Sequence, residues 1–489
     1  MKKILLLYIA ILATTYSSAQ LSGQLGQYKL LPQRVYANPA FMPQAKINVA
    51  LPALGKVYLE NDNNWLNPSE SVETEGSGSL IFSPEAILSS IDGDHATTGV
   101  GASVELAHVG VRFGKHYIHV RAAERVQARF SLPVDIFRLA VYGNTGSYNF
   151  QDNTANFSGL SLDAIHFREY AAGFSTQITP QINAGIAVKY LYGMEVIQTE
   201  ESSLRLRTDP NTYVLTSSGR YAVNTSGIYS AVSDDGEDLS VSEYLLGKRN
   251  NGFGFDLGGT YNPIEKLEIQ ISAHDIGFIK WREDIANYAS EDASFVYDGV
   301  DLSEFLFTED VDFGAEFEEE ADSLLQELEE IYNFDRTQGE FNTGLNGFMR
   351  YGAAYTLMET NKHEGTAWMN IVHGLGESII PFQASLGYNQ NLWNVLQAGL
   401  HVSKRADLPI TLGGGLSVNA GFFQIYALVE NWRVSSVTKV TVVDENDPGS
   451  QTELFLPSSP LDLRVQFGVN LTFNRDYGRQ KGTRRSMLR

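Results

Sequence analysis

The amino-acid sequence predicts an all-β fold: a transmembrane, antiparallel, up-and-down β-barrel of about fourteen strands with large extracellular loops. Three features support this prediction. Between residues 461 and 473, every second residue is apolar and none of the residues between them is. The chain also begins with a stretch typical of an export signal. Finally, short turns and long loops alternate between the predicted strands.

Residues 461–473 have the pattern of a strand with one apolar and one polar face, because a period of two places successive side chains on opposite faces. This stretch is longer than the usual strand of about five or six residues. A tilted strand of about 9–11 residues is long enough to cross a bilayer. Its apolar face suits lipid, and its polar face suits a watery or polar lumen.

The first nineteen residues fit a secretory signal peptide. Lys2 and Lys3 precede the apolar run 4–13, and Ser17-Ser18-Ala19 fits the small-residue rule for cleavage, which would leave Gln20 first. The apolar run is shorter than the roughly 20 residues that a transmembrane helix needs. Because no cysteine follows the cleavage site, a lipid-anchored lipoprotein is excluded. We expect an exported protein, integral to the outer membrane of a Gram-negative bacterium.

Composition and charge narrow the function classes. The chain has 489 residues and no cysteine, so disulfides cannot hold its loops. No later apolar run reaches the roughly 18 residues that would predict a membrane-spanning helix. The formal net charge is −22, and it becomes −24 when Lys2 and Lys3 leave with the signal. This charge argues against nucleic-acid binding, which requires basic contacts to phosphates. We expect outer-membrane lipid as a partner instead.

After the signal, we expect three regions: an irregular N-terminal segment (20–45), the barrel (46–473) and a basic periplasmic tail (474–489). Prolines break any strand ladder in the N-terminal segment. Residues 130–163 are compatible with a short helix or a loop, and both stay open. The predicted strands are 46–60 (interrupted by Pro52 and Gly55), 99–113, 116–127, 163–178, 182–197, 253–261, 267–273, 345–358, 366–373, 380–389, 393–403, 409–418, 421–430 and 461–473.

The connections between these strands alternate in length. Tight turns after residues 113, 178, 261, 389 and 418 all follow even-numbered strands, as short periplasmic turns do in bacterial barrels. Amphipathic rings favour the lipid headgroup level. We expect eight aromatic residues there: Tyr190, Tyr192, Tyr261, Trp281, Trp393, Tyr426, Trp432 and Phe473. A soluble β-sandwich could also bury aromatic residues, but the strand lengths and the export signal favour the barrel.

The same alternation predicts which polar residues line the lumen. The candidates are Asp256, Glu268, His274, Asp462 and Arg464. Inward polar residues are the default of a barrel interior, so they do not by themselves indicate catalysis. No G-x-S-x-G motif occurs, and the nine histidines show no H-E-x-x-H spacing. The sequence therefore predicts no enzyme activity, no metal site and no cofactor.

The layout and several short motifs resemble the FadL-like superfamily of long-chain fatty-acid transporters. The motif near the mature start is Asn38-Pro39-Ala40-Phe41. Y-N-P-I-E-K-L at 261–267, followed by H-D-I-G-F-I-K-W at 274–281, resembles an uncharacterised Bacteroidetes subgroup. The superfamily also includes accessory barrels of type IX secretion and gliding. The resemblance implies that the N-terminal segment, with Asn38 to Phe41, plugs the lumen.

An acidic insertion at residues 301–337 departs from that resemblance, so the family's ligand-binding residues cannot be carried over. Within it, apolar residues recur at helical spacing and predict one amphipathic helix: Leu324, Leu325, Leu328, Ile331 and Tyr332. One interpretation is a solvated helix packed on neighbouring loops. The other is a helix that docks a partner protein or covers the pore.

Two functions of different class remain open. The first is passive transport of small hydrophobic molecules across the outer membrane, which the FadL-like layout implies. The second is a non-transporting scaffold or accessory barrel of a surface or type IX secretion and gliding complex. The first predicts a small hydrophobic ligand. The second predicts a surface or secretion protein as partner, because the loops are larger than a pore mouth requires.

Overall fold

In the computed structural model, fourteen antiparallel strands close into a barrel, which confirms the predicted fold class. The structure describes residues 23–74, 80–91, 93–144, 150–228, 250–297, 332, 335–360, 362–376, 378, 380–406, 409–432, 437–444, 447–458 and 462–475.

The barrel strands are β1 (Ala45–Ala50 and Val57–Asn63), β2 (His95–Phe113), β3 (His116–Pro133), β4 (Ser161–Gln177), β5 (Ile182–Ser202), β6 (Asn251–Ile264), β7 (Leu267–Trp281), β8 (Phe348–Glu359), β9 (His363–Gly374), β10 (Gln383–Leu392), β11 (Leu396–Arg405), β12 (Ile410–Ala420), β13 (Phe423–Trp432) and β14 (Leu463–Arg475).

Each strand pairs with its sequence neighbours, and β1 closes the ring. Both pieces of β1 pair with β2 on one side and β14 on the other. The interruption predicted at Pro52 and Gly55 is present. There Leu51 N donates to Val469 O (3.2 Å) and Val469 N to Leu54 O (2.8 Å), so β14 stays hydrogen-bonded past the break.

Most connections alternate as predicted, although the connection 406–409 after the odd-numbered β11 is also short. Short turns lie at 114–115, 178–181, 265–266, 360–362, 393–395 and 421–422, and each follows an even-numbered strand. Several strands extend a few residues past their predicted ends; β6, for example, continues to Ile264. Because Ala45 pairs with Arg475, the beginning of β1 and the end of β14 lie together at the short-turn end.

The two faces of the wall differ in polarity. Leu400 is 76% exposed, whereas the next residue, His401, is 4% exposed. Phe253, Ile269 and Ile425 also point outward, and Gln270, Gln424 and Asn470 point inward. An apolar side chain gains about 25 cal/mol for each Å² removed from water. The exposed apolar exterior is therefore suited to lipid, as in transmembrane barrels.

Two of the eight expected headgroup aromatics point the other way. Trp281 and Tyr426 are 0% and 2% exposed and face the lumen. On β7, a bulge at His274 and Asp275 reverses the alternation, so the odd-numbered Trp281 turns inward. Tyr426 is two residues from the inward-facing Gln424 on β13, so the alternation alone places it on the lumen side. Five others are exposed, and Tyr192 is half-buried.

The long connections carry further structure. Residues 130–163, left open between helix and loop, contain the end of β3, helix α2 (Val134–Tyr142) and the start of β4; helix α1 is Pro84–Ser90. Two hairpin strands are Val437–Asp444 and Asp447–Pro457. We name a separate four-stranded sheet the outer sheet; it comprises Thr154–Asn156, Arg205–Thr208, Leu215–Gly219 and Ala293–Tyr297. Among the described residues, no helix combines the length and hydrophobicity needed to cross a membrane.

Candidate functional site: the filled barrel lumen

The N-terminal segment lies inside the barrel. From residue 23 to residue 41, every residue except Lys29 is buried. Two short 3-10 turns, Leu25–Gln27 and Pro32–Tyr36, fold the segment back on itself. Its apolar side chains pack with wall residues in one cluster: Leu25, Tyr28, Leu31, Val35, Tyr36, Ala37 and Phe41 with Tyr117, Tyr426 and Leu428.

The Asn38-Pro39-Ala40-Phe41 motif contacts four neighbouring strands. Asn38 Nδ2 donates to the carbonyl oxygens of Gly259 on β6 (3.2 Å) and Ile271 on β7 (3.1 Å). Asn38 Oδ1 accepts from Ala40 N at 2.9 Å, which fixes the bend of the motif. Ser175 Oγ on β4 donates to Pro39 O at 2.6 Å.

Two glycines let the motif approach the wall. A Cβ at Gly258 on β6 would lie 2.0 Å from Asn38 Oδ1. A Cβ at Gly185 on β5 would lie 1.9 Å from Pro39 O. Real Cβ atoms do not occur at such distances, so the glycines are required by close backbone approach.

Three bulged strands of the wall contact the segment through side chains beside their bulges. On β2, Glu105 and His108 flank the bulge, and both contact the Tyr36 hydroxyl. On β7, His274 Nε2 lies 3.1 Å from Ala37 O, and on β13, Glu430 faces the start of the segment. His274 and Glu430 face inward by the alternation of their strands, and each bulge turns the following residue, Asp275 or Asn431, inward as well. A bulge re-aims side chains in this way.

Glu430 holds the described start of the segment. Its carboxylate accepts from Gly23 N at 3.2 Å and from Gln24 N at 3.1 Å. Glu430 lies near the long-loop end of β13, so residues 23 and 24 are at that end of the lumen. Gln27 O accepts a hydrogen bond from Gln397 Nε2 (3.1 Å), which lies near the short-turn end of β11. The segment therefore runs down the lumen before it returns to β1.

Beside the segment lies a group that we name the central ion cluster: Arg121, Arg125, Glu169, Lys189, Asp256 and Asp275. Arg125 binds Asp275 through two bonds of 3.0 Å and Glu169 through one of 2.9 Å. Lys189 Nζ is 2.6 Å from both Asp256 Oδ1 and Asp275 Oδ1. Three cations thus meet three anions, all buried, so each charge is compensated.

Of the five predicted lumen residues, Asp256 and His274 lie in or beside this cluster. Asp462 and Arg464 lie elsewhere: Arg464 Nη1 donates to Gln383 Oε1 (2.8 Å), and Asp462 Oδ1 accepts from Asn431 Nδ2 (3.4 Å). Glu268 is half-buried near the short-turn end of β7. Five of the six ion-cluster members were not among the candidates, although Arg121 and Arg125 share one face of β3 by simple alternation.

A second group, the outer apolar layer, lies toward the long-loop end: Phe167, Leu191, Val196, Ile279 and Trp281. Phe167 is two residues closer to the long-loop end than Glu169 on β4, and Leu191 is two residues closer to it than Lys189 on β5. At about 3.3 Å per residue, the layer begins roughly 7 Å beyond the ions. Trp281 Nε1 donates to Thr343 Oγ1 at 3.0 Å, which satisfies its buried donor.

The lumen beside Tyr36 leaves little free space. A cavity of about 10 Å³ lies there, lined by Tyr36, Lys56, Ser103, Glu105, Arg121, Ala123, Arg125 and Glu169. This is room for about one water molecule. A porin-type barrel has a water-filled channel instead.

The predicted helix in the acidic insertion lies almost entirely outside the described residues, which include none of Leu324, Leu325, Leu328 or Ile331. Its last member, Tyr332, is described and buried. The Tyr332 hydroxyl hydrogen-bonds Ser217 Oγ of the outer sheet at 2.6 Å. The predicted signal peptide, 1–19, and all of the predicted tail, 474–489, beyond residue 475 also lie outside the described residues.

Comparison with known proteins gives one family and several distant structures. The chain is similar to the toluene transporter TodX of P. putida (11% identity, 90% of this chain and 93% of that one, TM-score 0.40). It is similar to the toluene transporter TbuX of Ralstonia pickettii (9% identity, 91% of this chain and 94% of that one, TM-score 0.40). It is also similar to a Pseudomonas aeruginosa FadL homologue (9% identity, 94% of this chain and 100% of that one, TM-score 0.40).

No curated protein matches the chain significantly. The model of a family described as "Family of unknown function (DUF5723)" matches residues 39–430. These residues include the last part of the buried segment and all strands from β1 to β12. Because this match covers well over half of the sequence, the chain belongs to the DUF5723 family of unknown function.

Proposed function

We propose that this protein is an integral outer-membrane channel through which small hydrophobic molecules cross passively, with the N-terminal segment as its gate. The observation that carries the proposal is the burial of residues 23–41 inside a barrel whose exterior is apolar. Hydrogen bonds to Glu430, Ser175 and His274 hold the segment, and no disulfide ties it to the wall, since the chain has no cysteine. Each such bond contributes a net of about 0.5–1.5 kcal/mol, so individual contacts can break and re-form.

The position of the outer apolar layer in the lumen supports a small hydrophobic ligand. On the side of β4, β5 and β7, a hydrophobic molecule arriving from the long-loop end would meet the outer apolar layer before the central ion cluster. A hydrophilic solute would need a continuous water path, and the cavity beside Tyr36 holds about 10 Å³. Apolar surface gains about 25 cal/mol per Å² on leaving water, which favours binding of oily molecules at that layer.

A reversible lock tests the gate, because the native chain has no cysteine. A Cβ at Gly23 would lie 3.7 Å from Ser385 Cβ, within the range that a disulfide needs. In a deletion strain that carries Gly23→Cys with Ser385→Cys, we expect uptake of fatty acids and small aromatics to fall under oxidation and to recover with reductant. Each single-cysteine variant is the control. Equal uptake in both redox states, or normal uptake without the protein, would contradict the proposal.

A second candidate is a scaffold or accessory barrel of a surface or type IX secretion and gliding complex. The outer sheet favours it, because four segments distant in the chain build a structure that a pore mouth does not require. This candidate predicts a stoichiometric protein partner, retained in mild detergent and lost when residues 301–335 are excised. Affinity purification from native membranes with mass spectrometry measures this. A barrel that purifies alone with the insertion intact counts against it.

A further inference from the structure

The outer sheet has one buried and one exposed face. Along Arg205–Thr208, the two arginines are exposed, Leu206 is half-buried and Thr208 is buried. The register sets Arg205 opposite Ser218 and Asn156, and Arg207 opposite Thr216 and Thr154. Directly opposite residues share a face of a sheet. The exposed face therefore carries two guanidinium groups among hydroxyl and amide side chains.

These two arginines differ from other exposed cations of the long-loop side. Arg220 pairs with Glu201 (3.0 Å), Lys280 with Glu340 (2.6 Å) and Lys439 with Glu453 (2.6 Å). Within the described parts of the chain, neither Arg205 nor Arg207 forms an ion pair. In a protein with a formal net charge of −22, they place two positive charges on one exposed face.

A groove of about 240 Å³ opens beside them, lined by Arg207, Asp209, Thr212, Val214 and Thr216. Asp209 Oδ1 accepts from Asn211 N and Thr212 N, both at 2.9 Å. These backbone donors and, to a smaller extent, the nearby positive charge of Arg207 lower the pKa of Asp209, so its carboxylate is ionised at neutral pH. The groove thus combines a fixed acceptor, a guanidinium donor and two hydroxyls with one apolar side chain.

The turn beside the groove presents an aromatic ring. Tyr213 is 63% exposed and has φ +62°, a left-handed conformation that a bulky residue rarely adopts. Its N–H donates to Asp209 O at 2.9 Å, which holds the turn in this shape. An exposed tyrosine offers a flat apolar face with a polar tip, suited to a ligand that is itself both apolar and polar.

We propose that the exposed face of the outer sheet binds an acidic polysaccharide that carries carboxylates. The groove is smaller than the roughly 300–1,000 Å³ of a pocket for a drug-sized molecule, and it suits one sugar ring. Arginine binds carboxylates with two parallel hydrogen bonds. Arg205 and Arg207 are two residues apart on one face, a rise of about 6.7 Å, so they can bind separate carboxylates along a chain. This proposal rests on the proposed outer-membrane orientation and does not depend on transport.

Purified barrel in detergent tests the proposal by isothermal titration with two probes: oligogalacturonate, which carries carboxylates, and an uncharged isomalto-oligosaccharide of equal length. We expect wild type to bind oligogalacturonate and not the uncharged probe. Arg205→Gln with Arg207→Gln should weaken binding at least tenfold, and Tyr213→Ala should weaken it less. Lys439→Gln removes an exposed charge from another long-loop hairpin and should leave binding unchanged.

Three results would overturn the proposal: no binding by folded wild type, equal binding of both probes, or equal binding by the double variant. Full displacement of oligogalacturonate by an acidic peptide at the same concentration would also overturn it, in favour of a protein ligand. Heat-modifiable gel mobility confirms that each variant is folded. Because purified protein is used, loss of hydrophobic uptake in cells would test the channel and not this site.

Discussion

Gly258→Val is expected to expel the N-terminal segment from the lumen. The new Cβ would lie 2.0 Å from Asn38 Oδ1 and 2.9 Å from Ala40 N. Overpacking of this kind costs about 1–3 kcal/mol, and each lost hydrogen bond adds about 1 kcal/mol. A loss of about 3 kcal/mol corresponds to roughly a hundredfold rise in the displaced fraction. Maleimide labelling of a single cysteine at the buried position Ala40 measures this, because the chain has no other cysteine.

The adjacent glycine supplies a matched control. A Cβ at Gly259 would meet its neighbours at 3.8 and 3.9 Å, which is ordinary van der Waals contact. Ala40→Cys with Gly259→Ala should therefore label as slowly as Ala40→Cys alone. Slow labelling of the Ala40→Cys, Gly258→Val protein would show that strand β6 shifts and the segment stays buried. The gate would then have to be sought elsewhere.

Lys189→Met is expected to destabilise the barrel by about 3–5 kcal/mol, because it leaves buried carboxylates without their shared cation. Lys189 is fully buried, with Asp256 and Asp275 each 2.6 Å from its Nζ. The midpoint of urea unfolding in micelles, followed by tryptophan fluorescence, gives the change. A second substitution, Asp256→Asn, removes one of those carboxylates and should restore part of the loss.

An exposed ion pair provides the comparison for that measurement. Lys439 and Glu453 are each about half exposed, and a surface pair contributes about 0–1 kcal/mol. Lys439→Met should therefore shift the unfolding midpoint little. If Lys189→Met behaved like Lys439→Met, water would have to reach the central ion cluster in the folded protein.

Alternation along single strands was enough to predict the barrel. On β14 and on β5 up to Lys189, the outward and inward residues follow the period of two, because lipid and lumen impose opposite polarity on the two faces. The method fails at bulges. One extra residue at Asp275 reverses the faces beyond it, and this reversal turned Trp281 from an expected headgroup residue into part of the outer apolar layer.

The lumen contacts could be predicted only in part. Asp256 and His274 follow from their alternation with apolar neighbours, and both are buried. Glu105 and Glu430 also face inward by alternation but were not among the candidates. Asp275 and Asn431 face inward only because of bulges, and a bulge leaves little mark on the period of a single strand. The ion pairs join residues as far apart as Arg125 and Asp275, so they depend on barrel closure and not on local sequence.

The closure of β1 on β14 has a consequence for biogenesis. Residues 23–44 precede the wall strands in the sequence and lie inside the barrel, and they lead directly into β1, which closes the barrel against β14. Their hydrogen bonds reach β4, β11 and β14, so these contacts form only when strands from the beginning and the end of the wall are in place around them.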